Sequence, residues 1–424
     1  MVWCKNKSVV LLLIISIVLL SFASQPIKTS STDLKREIRW QDDLSYLAHE
    51  LPKLHKNVFF KISKTDFQRE VEQLKQNIPT MNDDEIILGL ARIVASIGDA
   101  HTQIALHQKA TGFTRYPFKF YWFPSGIYVT DTTAEYKQVL GARLIKIGDS
   151  NIRAVTEKVT PLISHENDEW LKCLVPTYLD IPEVLYGLHI TPSKNDGRFV
   201  FVNPLGKTIT LNVQSLSEPS KFKGIAASVL PKPPLYRQNN DKYYWYTYLP
   251  ESQTIYLQYN VCEDMQSQPF DDFALKLLSF ADTHPIKKFV IDLRNNDGGY
   301  STVLDPLMYG ILARPNLNRK GHLFTIIGRK TFSSAMMNAC ELKYQSNAIL
   351  IGGPTGGKPD SYGNVQEFQL PNSKLFVTYT TKYFINSPDN VDSLQPDISV
   401  PITAKDYFTG KDPVMEQILK YPQK

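Results

Sequence analysis

The sequence predicts an α/β protein of several domains. The chain has 424 residues, more than one hydrophobic core usually serves, since domains contain roughly 100 to 200 residues. The predicted elements also change along the chain: helices come first, strands follow, and from residue 241 onward strands alternate with helices. We therefore expect three folded regions, at residues 33–108, 112–230 and 241–424, after a leader at residues 1–23.

Composition and charge exclude several classes of protein. Hydrophobic residues make up 42% of the chain and charged residues 21%, which is ordinary globular usage and argues against disorder and against many membrane spans. The net charge of +5 arises from 47 basic and 42 acidic residues, and no block of like charge is present. Nucleic acid is therefore not an expected partner.

The four cysteines indicate neither a disulfide framework nor a metal site. Cys4 lies in the leader, and Cys173, Cys262 and Cys340 are far apart, without paired or metal-ligand spacing. We expect them to be reduced, structural thiols, because small buried cysteines are common in folded proteins.

The N-terminus has the pattern of a secretory signal. Lys5 and Lys7 precede an apolar run from Val9 to Leu20, and Ser21-Phe22-Ala23 provides small residues at the cleavage positions. The run is shorter than the ~20 apolar residues that a spanning helix needs, which favours cleavage after about Ala23. The protein is thus expected to be exported, and to contact a membrane only through this segment if it stays uncleaved.

The helical region ends in a loop that carries a histidine. Asn82 and Glu85 have the spacing of a capping box, and apolar residues then recur at helical spacing. This helix ends at Gly98. His101 follows within three residues, in the loop after this helix. It is the only one of the eight histidines that lies in a recognisable motif.

Residues 112–230 are expected to be rich in strands. Gly126-Ile127-Tyr128-Val129 and the run from Arg143 to Ile147 alternate like strands, and a Gly148-Asp149 turn follows the second. The stretch from Leu140 through Ile152 resembles the carboxylate loop and hairpin of a PDZ domain, which would bind an extended peptide as an added strand. A β-rich spacer is the alternative interpretation.

The alternation of strands and helices in residues 241–424 predicts a largely parallel sheet. In such a sheet the functional residues are expected in the loops at the carboxyl ends of the strands. The loop from Asp292 to Gly299 follows a buried strand and contains the pair Gly298-Gly299. Glycines let backbone N–H groups converge on an oxyanion. A tight connection into the next helix would explain the pair equally well.

Two more loops of this kind follow. Ser333 lies between a strand and a helix, where the N-terminus of the helix favours an alkoxide; helix capping is the alternative role for such a serine. The loop from Gly352 to Lys358 lacks the pattern of a phosphate-binding loop. Lys358 could act as a base if its surroundings desolvated it, or it could be an ordinary exposed lysine.

Taken in order, these loops resemble the tail-specific (C-terminal-processing) and tricorn-type serine peptidases, over about residues 51–421. The matching segments are Gly98-Asp99-Ala100-His101-Thr102, the loop from Asp292 to Gly299, Thr331-Phe332-Ser333-Ser334-Ala335, Thr355-Gly356-Gly357-Lys358, Gln395-Pro396-Asp397-Ile398 and Lys411-Asp412-Pro413-Val414. No single segment would suffice, but together they are specific.

The resemblance implies a helical N-terminal domain, a β-rich PDZ-like middle region and a crotonase-like α/β catalytic core. It also implies peptide-bond hydrolysis without a metal or another cofactor. Ser333 matches the position of the nucleophile. The N–H groups of Gly298 or Gly299 and of Ser334 match the oxyanion hole.

The resemblance leaves two candidates for the general base, because the family uses either a lysine or a histidine. Lys358 fits by position, although Pro359 replaces the usual glycine. His101 could act as a base at neutral pH without a large pKa shift, because the ordinary pKa of histidine is about 6.5. The pKa of a lysine would have to fall by ~3 units for the same role. We favour His101. Its acidic partner is then expected before Pro396, with Asp389 and Asp392 as candidates, while Asp292 and Asp397 are expected to be structural.

The predicted function is that of an exported serine peptidase that cleaves extended polypeptides through an acyl-enzyme on Ser333. One alternative is a catalytically inactive peptide- or lipid-binding protein on the same scaffold. Another is a hydrolase of small esters or amides, for which Tyr243-Tyr244-Trp245-Tyr246 could line an apolar pocket, although core packing explains that stretch as well. The oligomeric state is not predicted.

Overall fold

The computed structural model describes residues 31–216, 222–226 and 233–422. The expected signal segment, with Cys4 and the cleavage position at Ala23, lies outside the described residues. Within these ranges no helix combines the length and the apolar character needed to cross a bilayer. Cys173, Cys262 and Cys340 are free thiols, as expected.

Three helices form the N-terminal region: α1 (Ser31–Leu54), α2 (Lys64–Asn77) and α3 (Asp83–Ala95). The predicted capping box is confirmed, since Asn82 and Glu85 exchange both hydrogen bonds at the start of α3. Most of α3 is buried. Gly98 then adopts φ +80°, a conformation that glycine reaches without strain, and turns the chain into the His101 loop.

The middle region is an antiparallel sheet of seven strands with three helices. The strands are β1 (Phe118–Phe123), β2 (Gly126–Thr132), β3 (Arg143–Ile147), β4 (Ser150–Asn151), β5 (Asp196–Val202), β6 (Thr208–Gln214) and β7 (Ile225–Ala226). The helices α4 (Ile152–Val159), α5 (Asp168–Tyr178) and α6 (Pro182–Gly187) connect β4 to β5. The main strands run in the order β1-β2-β3-β5-β6, so β1 lies at an edge.

The remaining strands are β8 (Tyr244–Leu249), β9 (Thr254–Tyr259), β10 (Lys288–Asp292), β11 (Leu323–Ile327), β12 (Ile349–Gly352), β13 (Ser361–Gln369), β14 (Phe376–Phe384) and β15 (Ile398–Ser399). Six of them form one sheet in the order β15-β12-β11-β10-β9-β8. All pairs in it are parallel except β8 with β9. The carboxyl ends of β10, β11 and β12 are therefore neighbours, and the three predicted loops meet at one edge.

Both faces of this six-stranded sheet are covered. The later helices are α7 (Phe270–Thr283), α8 (Asp305–Leu312), α9 (Ser333–Gln345), α10 (Ala404–Thr409) and α11 (Pro413–Lys420). Buried residues of α7, α8 and α9 share a core with one face, and those of α11 share a core with the other. Tyr244 and Trp245 are buried in these cores, so core packing accounts for the aromatic run around them.

The strands β13 and β14 form a hairpin that packs on the N-terminal helices. Leu370, Leu375 and Val377 belong to the same hydrophobic core as α1 and α3. At the hairpin turn, the carboxylate of Asp43 accepts hydrogen bonds from two backbone N–H groups, each at 2.7 Å. The hairpin therefore ties the second half of the chain to the region that carries His101.

Candidate active site

Ser333 is the first residue of α9 and has an unusual backbone conformation. Its φ is 51°, in the left-handed region that costs a non-glycine residue roughly 1–2 kcal/mol. Phe332 occupies the N-cap position, and no side chain caps the helix. The hydroxyl of Ser333 is therefore not engaged in capping, and the residue is partly exposed.

The glycine pair lies directly against this serine. Gly298 and Gly299 have φ values of 118° and 132°, which L side chains rarely adopt. A Cβ atom at Gly298 would lie 2.7 Å from Cβ and 3.2 Å from Oγ of Ser333. A Cβ atom at Gly299 would overlap the carbonyl oxygen of Cys262. Both positions therefore need glycine, and the reason at Gly298 is the approach of the serine.

Two backbone N–H groups beside Ser333 are unused. The N–H of Gly298 donates to Oδ1 of Asn296 at 2.9 Å, so it is already engaged. In the described part of the chain, the N–H groups of Gly299 and Ser334 have no acceptor. The hydroxyl of Ser334 donates to the carbonyl of Gly299 at 2.6 Å. Gly299 and Ser334 thus have the free donors that an oxyanion hole requires.

One backbone and one side-chain hydrogen bond join the two loops. The main-chain carbonyl of Asn296 accepts from the N–H of Phe332 at 3.2 Å, while Nδ2 of Asn296 donates to the carbonyl of Tyr259 at 3.0 Å. The hydroxyl of Thr331 donates to the carbonyl of Leu293 at 2.9 Å. Neither polar side chain was singled out from the sequence, although both lie in the motif segments.

A buried ion-pair network anchors the start of the glycine loop. Arg294 donates to Asp292 at 2.9 Å and, through two nitrogens, to Asp412 at 3.0 and 3.1 Å. Tyr256 also donates to Asp292, at 2.7 Å. Burial raises the pKa of Asp292, and the neighbouring Arg294 opposes that rise. Asp292 is therefore structural, as expected, and Asp412 links the loop to α11.

The carboxylate behind His101 comes from its own loop. Asp99 is fully buried and lies 3.7 Å from Nδ1 of His101. It accepts hydrogen bonds from the N–H of His101 (3.0 Å), Thr102 Oγ1 (2.5 Å) and Thr380 Oγ1 (2.8 Å), and pairs with His55 Nε2 (3.1 Å). Burial alone would raise the pKa of Asp99, but the neighbouring His101, His55 and Thr102 outweigh burial and hold the pKa well below its ordinary value.

The imidazole of His101 lies beside the residue that precedes Ser333. Its ring centroid is 4.6 Å from that of Phe332, whose other neighbour is the stacked ring of Trp170 at 3.9 Å. Only 9% of the His101 side chain is exposed. Among the described residues, neither ring nitrogen has a hydrogen-bond partner, so His101 is not bonded to Ser333 in this conformation.

Lys358 follows a turn beside the nucleophile loop, and its ammonium group is paired. Its turn packs against the nucleophile loop, since a Cβ atom at Gly357 would lie 3.1 Å from Cα of Phe332. The ammonium group of Lys358 donates to Asp392 at 3.0 Å. Asp392, expected as a partner of His101, is therefore a partner of Lys358, and Asp389 is exposed. Asp99 takes the place beside His101 that these two residues were expected to fill.

A cavity of about 1080 Å³ opens at the carboxyl ends of the parallel strands. Its walls include β1 and the following Pro124, part of α5, and the loops after β10, β11 and β12. Lys330 and Asp297, which form an ion pair at 3.3 Å, mark the side nearest Ser333. Ser333, His101 and Lys358 do not line the cavity, which lies between the middle sheet and the six-stranded sheet and is bordered by the loops that lead to Ser333 and to the glycine pair.

Solved structures with a similar fold include that of mature CPAF complexed with lactacystin. It aligns with a TM-score of 0.64 and 14% identity, over 91% of this chain and 98% of that chain. Mature CPAF alone gives 0.62 and 14%, over 91% and 97%. A photosystem II D1 C-terminal processing protease gives 0.40 and 12%, over 88% and 98%. No protein-family model and no curated protein matches the sequence. The chain thus has the fold of CPAF over nearly its whole length.

Proposed function

We propose that this protein is a serine peptidase that cleaves polypeptides through an acyl-enzyme on Ser333. The observation that carries the proposal is the strained Ser333 packed against Gly298, next to the unused N–H groups of Gly299 and Ser334. Strained non-glycine residues cluster at functional sites, where the surrounding structure holds them in place. A structural serine at a helix start needs neither that strain nor free amide donors beside it.

In the proposed reaction, the scissile carbonyl oxygen accepts hydrogen bonds from Gly299 and Ser334. Ser333 Oγ attacks the carbonyl carbon while His101 takes the hydroxyl proton, and the same proton then passes to the leaving amine. The C–N bond breaks and an ester to Ser333 remains. Water, deprotonated by His101, hydrolyses that ester and releases the acid product and the free serine.

His101 is the proposed general base because, among the described residues, both of its ring nitrogens are free to accept or donate a proton. The carboxylate of Asp99 lies behind Nδ1 and can stabilise the imidazolium that forms. Because His101 is not bonded to Ser333, the ring must rotate when substrate binds, and catalytic hydrogen bonds often tighten only at that stage. Lys358 is the weaker candidate, since its ammonium group is held by Asp392.

The adjoining cavity supports a polypeptide as substrate. Consecutive residues of β1 line it, and side chains of a strand alternate between its two faces. Among the described strands β1 pairs only with β2, and Arg329 donates to the Trp122 carbonyl of β1. The rest of this edge is where an extended peptide could add as a strand. Together with the leader in the sequence, these features support an exported peptidase that acts on extended chains.

Hydrolysis of fluorescein-labelled casein by Ser333→Ala and Ser334→Ala variants tests the proposal. We expect Ser333→Ala to lower kcat by about 10³-fold or more, because the nucleophile is lost. Ser334→Ala removes only a hydrogen bond to the Gly299 carbonyl, so a loss of less than about tenfold is expected. If Ser333→Ala cleaved casein as fast as the unmodified protein, Ser333 would not be the nucleophile. Absence of hydrolysis in every form would favour the inactive binding protein.

A further inference from the structure

Three aromatic rings lie in contact beside the nucleophile, with Phe332 in the middle. The indole of Trp170 stacks on Phe332, with 3.9 Å between the ring centroids and 6° between the planes. The imidazole of His101 also lies against Phe332, with its centroid at 4.6 Å and the planes tilted by 31°. Trp170 belongs to α5, Phe332 is the N-cap of α9, and His101 lies in the loop after α3. The three rings therefore join the three regions of the chain at the candidate site.

The middle ring belongs to the residue directly before the nucleophile. Phe332 is buried, and its N–H donates to the main-chain carbonyl of Asn296 at 3.2 Å. Ser333 follows with φ 51°, a conformation that persists in a non-glycine residue only where the surrounding structure holds it. One peptide bond separates the two residues, so a displaced Phe332 would also displace Ser333.

Trp170 is itself held in place by the turn at Gly356. A Cβ atom at Gly356 would lie 2.8 Å from Cε3 of Trp170, so the turn lies directly against the indole. The side chain of Asn167 connects the two. Its Oδ1 accepts from the N–H of Trp170 at 2.9 Å, and its Nδ2 donates to the carbonyl of Gly356 at 2.9 Å. The indole is thus fixed on the side of Gly356 while it supports Phe332.

The ring of Trp170, and not a hydrogen bond, makes the contact with the site. Trp170 is 9% exposed, and among the described residues its Nε1 has no hydrogen-bond partner. An aromatic pair contributes about 0.5–1.5 kcal/mol beyond the area that it buries. Trp170 and Phe332 form a small hydrophobic cluster with Ala100, which precedes His101. A phenylalanine could therefore take the place of Trp170 in the stack, whereas an aliphatic side chain could not.

We propose that Trp170 is a positioning residue for peptide hydrolysis, because its stacking on Phe332 fixes both Ser333 and the surface against which the His101 ring lies. This inference rests on the proposed function of Ser333 and His101. Among the described residues, neither ring nitrogen of His101 has a hydrogen-bond partner, and Asp99 is 3.7 Å from Nδ1. Packing against Phe332 therefore contributes to the orientation of the imidazole.

Loss of this stack should affect the chemical step more than the binding of substrate. Trp170 does not line the cavity that supports a polypeptide as substrate, so its replacement should change KM little. A catalytic group that is misplaced by about 1 Å can cost about 100-fold in rate. Both Ser333 and His101 depend on the position of Phe332, and kcat should therefore fall.

Kinetics of Trp170→Leu and Trp170→Phe with a fluorogenic peptide test the proposal. We expect Trp170→Leu to lower kcat about 10- to 100-fold and to change KM less than about twofold, because the substrate still binds but the catalytic groups are loosened. Trp170→Phe keeps a flat ring on Phe332 and should lower kcat less than about threefold. Trp170→Met, which fills the space without a ring, replaces Trp170→Leu if that variant does not fold.

Trp40→Leu is the matched control. Trp40 has the same exposed fraction, 9%, but it packs among the N-terminal helices, so kcat of the folded variant should not change. The proposal is overturned if Trp170→Leu and Trp40→Leu have equal kcat values. It is equally overturned if Trp170→Phe is impaired as much as Trp170→Leu, because the loss would then not come from the stacked ring.

Nuclear magnetic resonance gives a second readout that does not depend on activity. A proton near the face of an aromatic ring resonates upfield, so the ring protons of His101 report its contact with Phe332. In Trp170→Leu these resonances should move downfield, whereas Trp170→Phe and Trp40→Leu should leave them in place. Unchanged resonances in Trp170→Leu would refute the proposal. If the unmodified protein hydrolysed no peptide, the proposed function would fail, while the resonances would still decide whether Trp170 positions the His101 ring.

Discussion

At the scale of single residues, the site depends on a serine in a conformation that serines avoid. Ser333 has φ 51° and contacts a glycine that could not be replaced without moving it. This backbone conformation costs roughly 1–2 kcal/mol. Hydrogen bonds of the two flanking residues hold Ser333 in it, one from Phe332 to Asn296 and one from Ser334 to Gly299. The position of the hydroxyl is therefore set by the glycine loop as much as by α9.

Gly298→Ala tests this dependence. The new methyl group would lie 2.7 Å from Cβ of Ser333, so the serine must move, and we expect kcat/KM for a fluorogenic peptide to fall at least about 100-fold. Gly206→Ala is the matched control, because Gly206 also has a positive φ, 79°, but no heavy atom lies within 4 Å of the added Cβ. Equal activity of the two variants would show that contact with Gly298 does not position the nucleophile.

His101→Ala and Lys358→Ala distinguish the two candidate bases. Removing a general base typically costs 10²- to 10⁴-fold in rate, and we expect that loss in kcat for His101→Ala. Lys358 pairs with Asp392, whose side chain is 78% exposed, so its replacement should cost less than about tenfold. Peptide hydrolysis at constant pH provides the measurement. A large loss confined to the lysine variant would reverse the assignment.

Some of these residues could be predicted from the sequence, and others could not. Ser333 and the glycine pair follow strands of one parallel sheet, so their convergence is a consequence of topology. Asp99 was not predicted as the acidic partner, because that partner was sought in the loop before Pro396. The turn after Gly98 instead places Asp99 behind the ring of His101, which is two residues further along the chain. The bond from the Gly298 N–H to Asn296 depends on loop geometry that spacing does not reveal.

At the scale of elements, α11 supports the glycine loop from a distance in sequence. Asp412 caps α11 through the N–H groups of Val414 and Met415 and accepts two hydrogen bonds from the buried Arg294. Arg294 in turn holds the end of β10, from which the glycine loop departs. The C-terminal helix thus contributes to the site without touching it.

Asp412→Ala should be strongly destabilising. It removes the cap of α11 and leaves the buried guanidinium of Arg294 with one carboxylate instead of two. We therefore expect the free energy of unfolding to fall by about 3 kcal/mol. Glu416→Ala, on the same helix, removes an exposed carboxylate 3.9 Å from Lys420 and should cost less than about 1 kcal/mol. Urea denaturation measures both values, and equal values would show that the network adds nothing to stability.

The elements themselves were predictable to different extents. Strands and helices of the six-stranded sheet follow clear apolar runs, and the capping box at Asn82 and Glu85 locates α3 correctly. The helices α4, α5 and α6 were not predicted, because residues 112–230 were interpreted as a region dominated by strands. Asn151 and Asn167 cap α4 and α5, and this signal in the sequence could have revealed them.

At the scale of the whole molecule, the candidate site is assembled from all three regions of the chain. The loop after α3 supplies His101 and Asp99, and the loops of the six-stranded sheet supply Ser333 and its amide donors. The middle region supplies one wall of the cavity, Ser164 against the His101 loop and Trp170 against Phe332. The β13–β14 hairpin joins the first two, since Thr378 and Thr380 bond to the His101 loop. No single region contains a complete site. Which helix would accept the hairpin could not be predicted, because that contact joins residues far apart in the sequence.

The central claim is that Ser333 is a nucleophile activated by its surroundings. Incubation of the folded protein with a fluorophosphonate probe, followed by digestion and mass spectrometry, measures this most directly. We predict one adduct, on Ser333, which is lost on unfolding in urea before labelling and is slowed about 100-fold or more in His101→Ala. A folded protein that carried no adduct, or carried it only on Ser334 or another serine, would contradict the account.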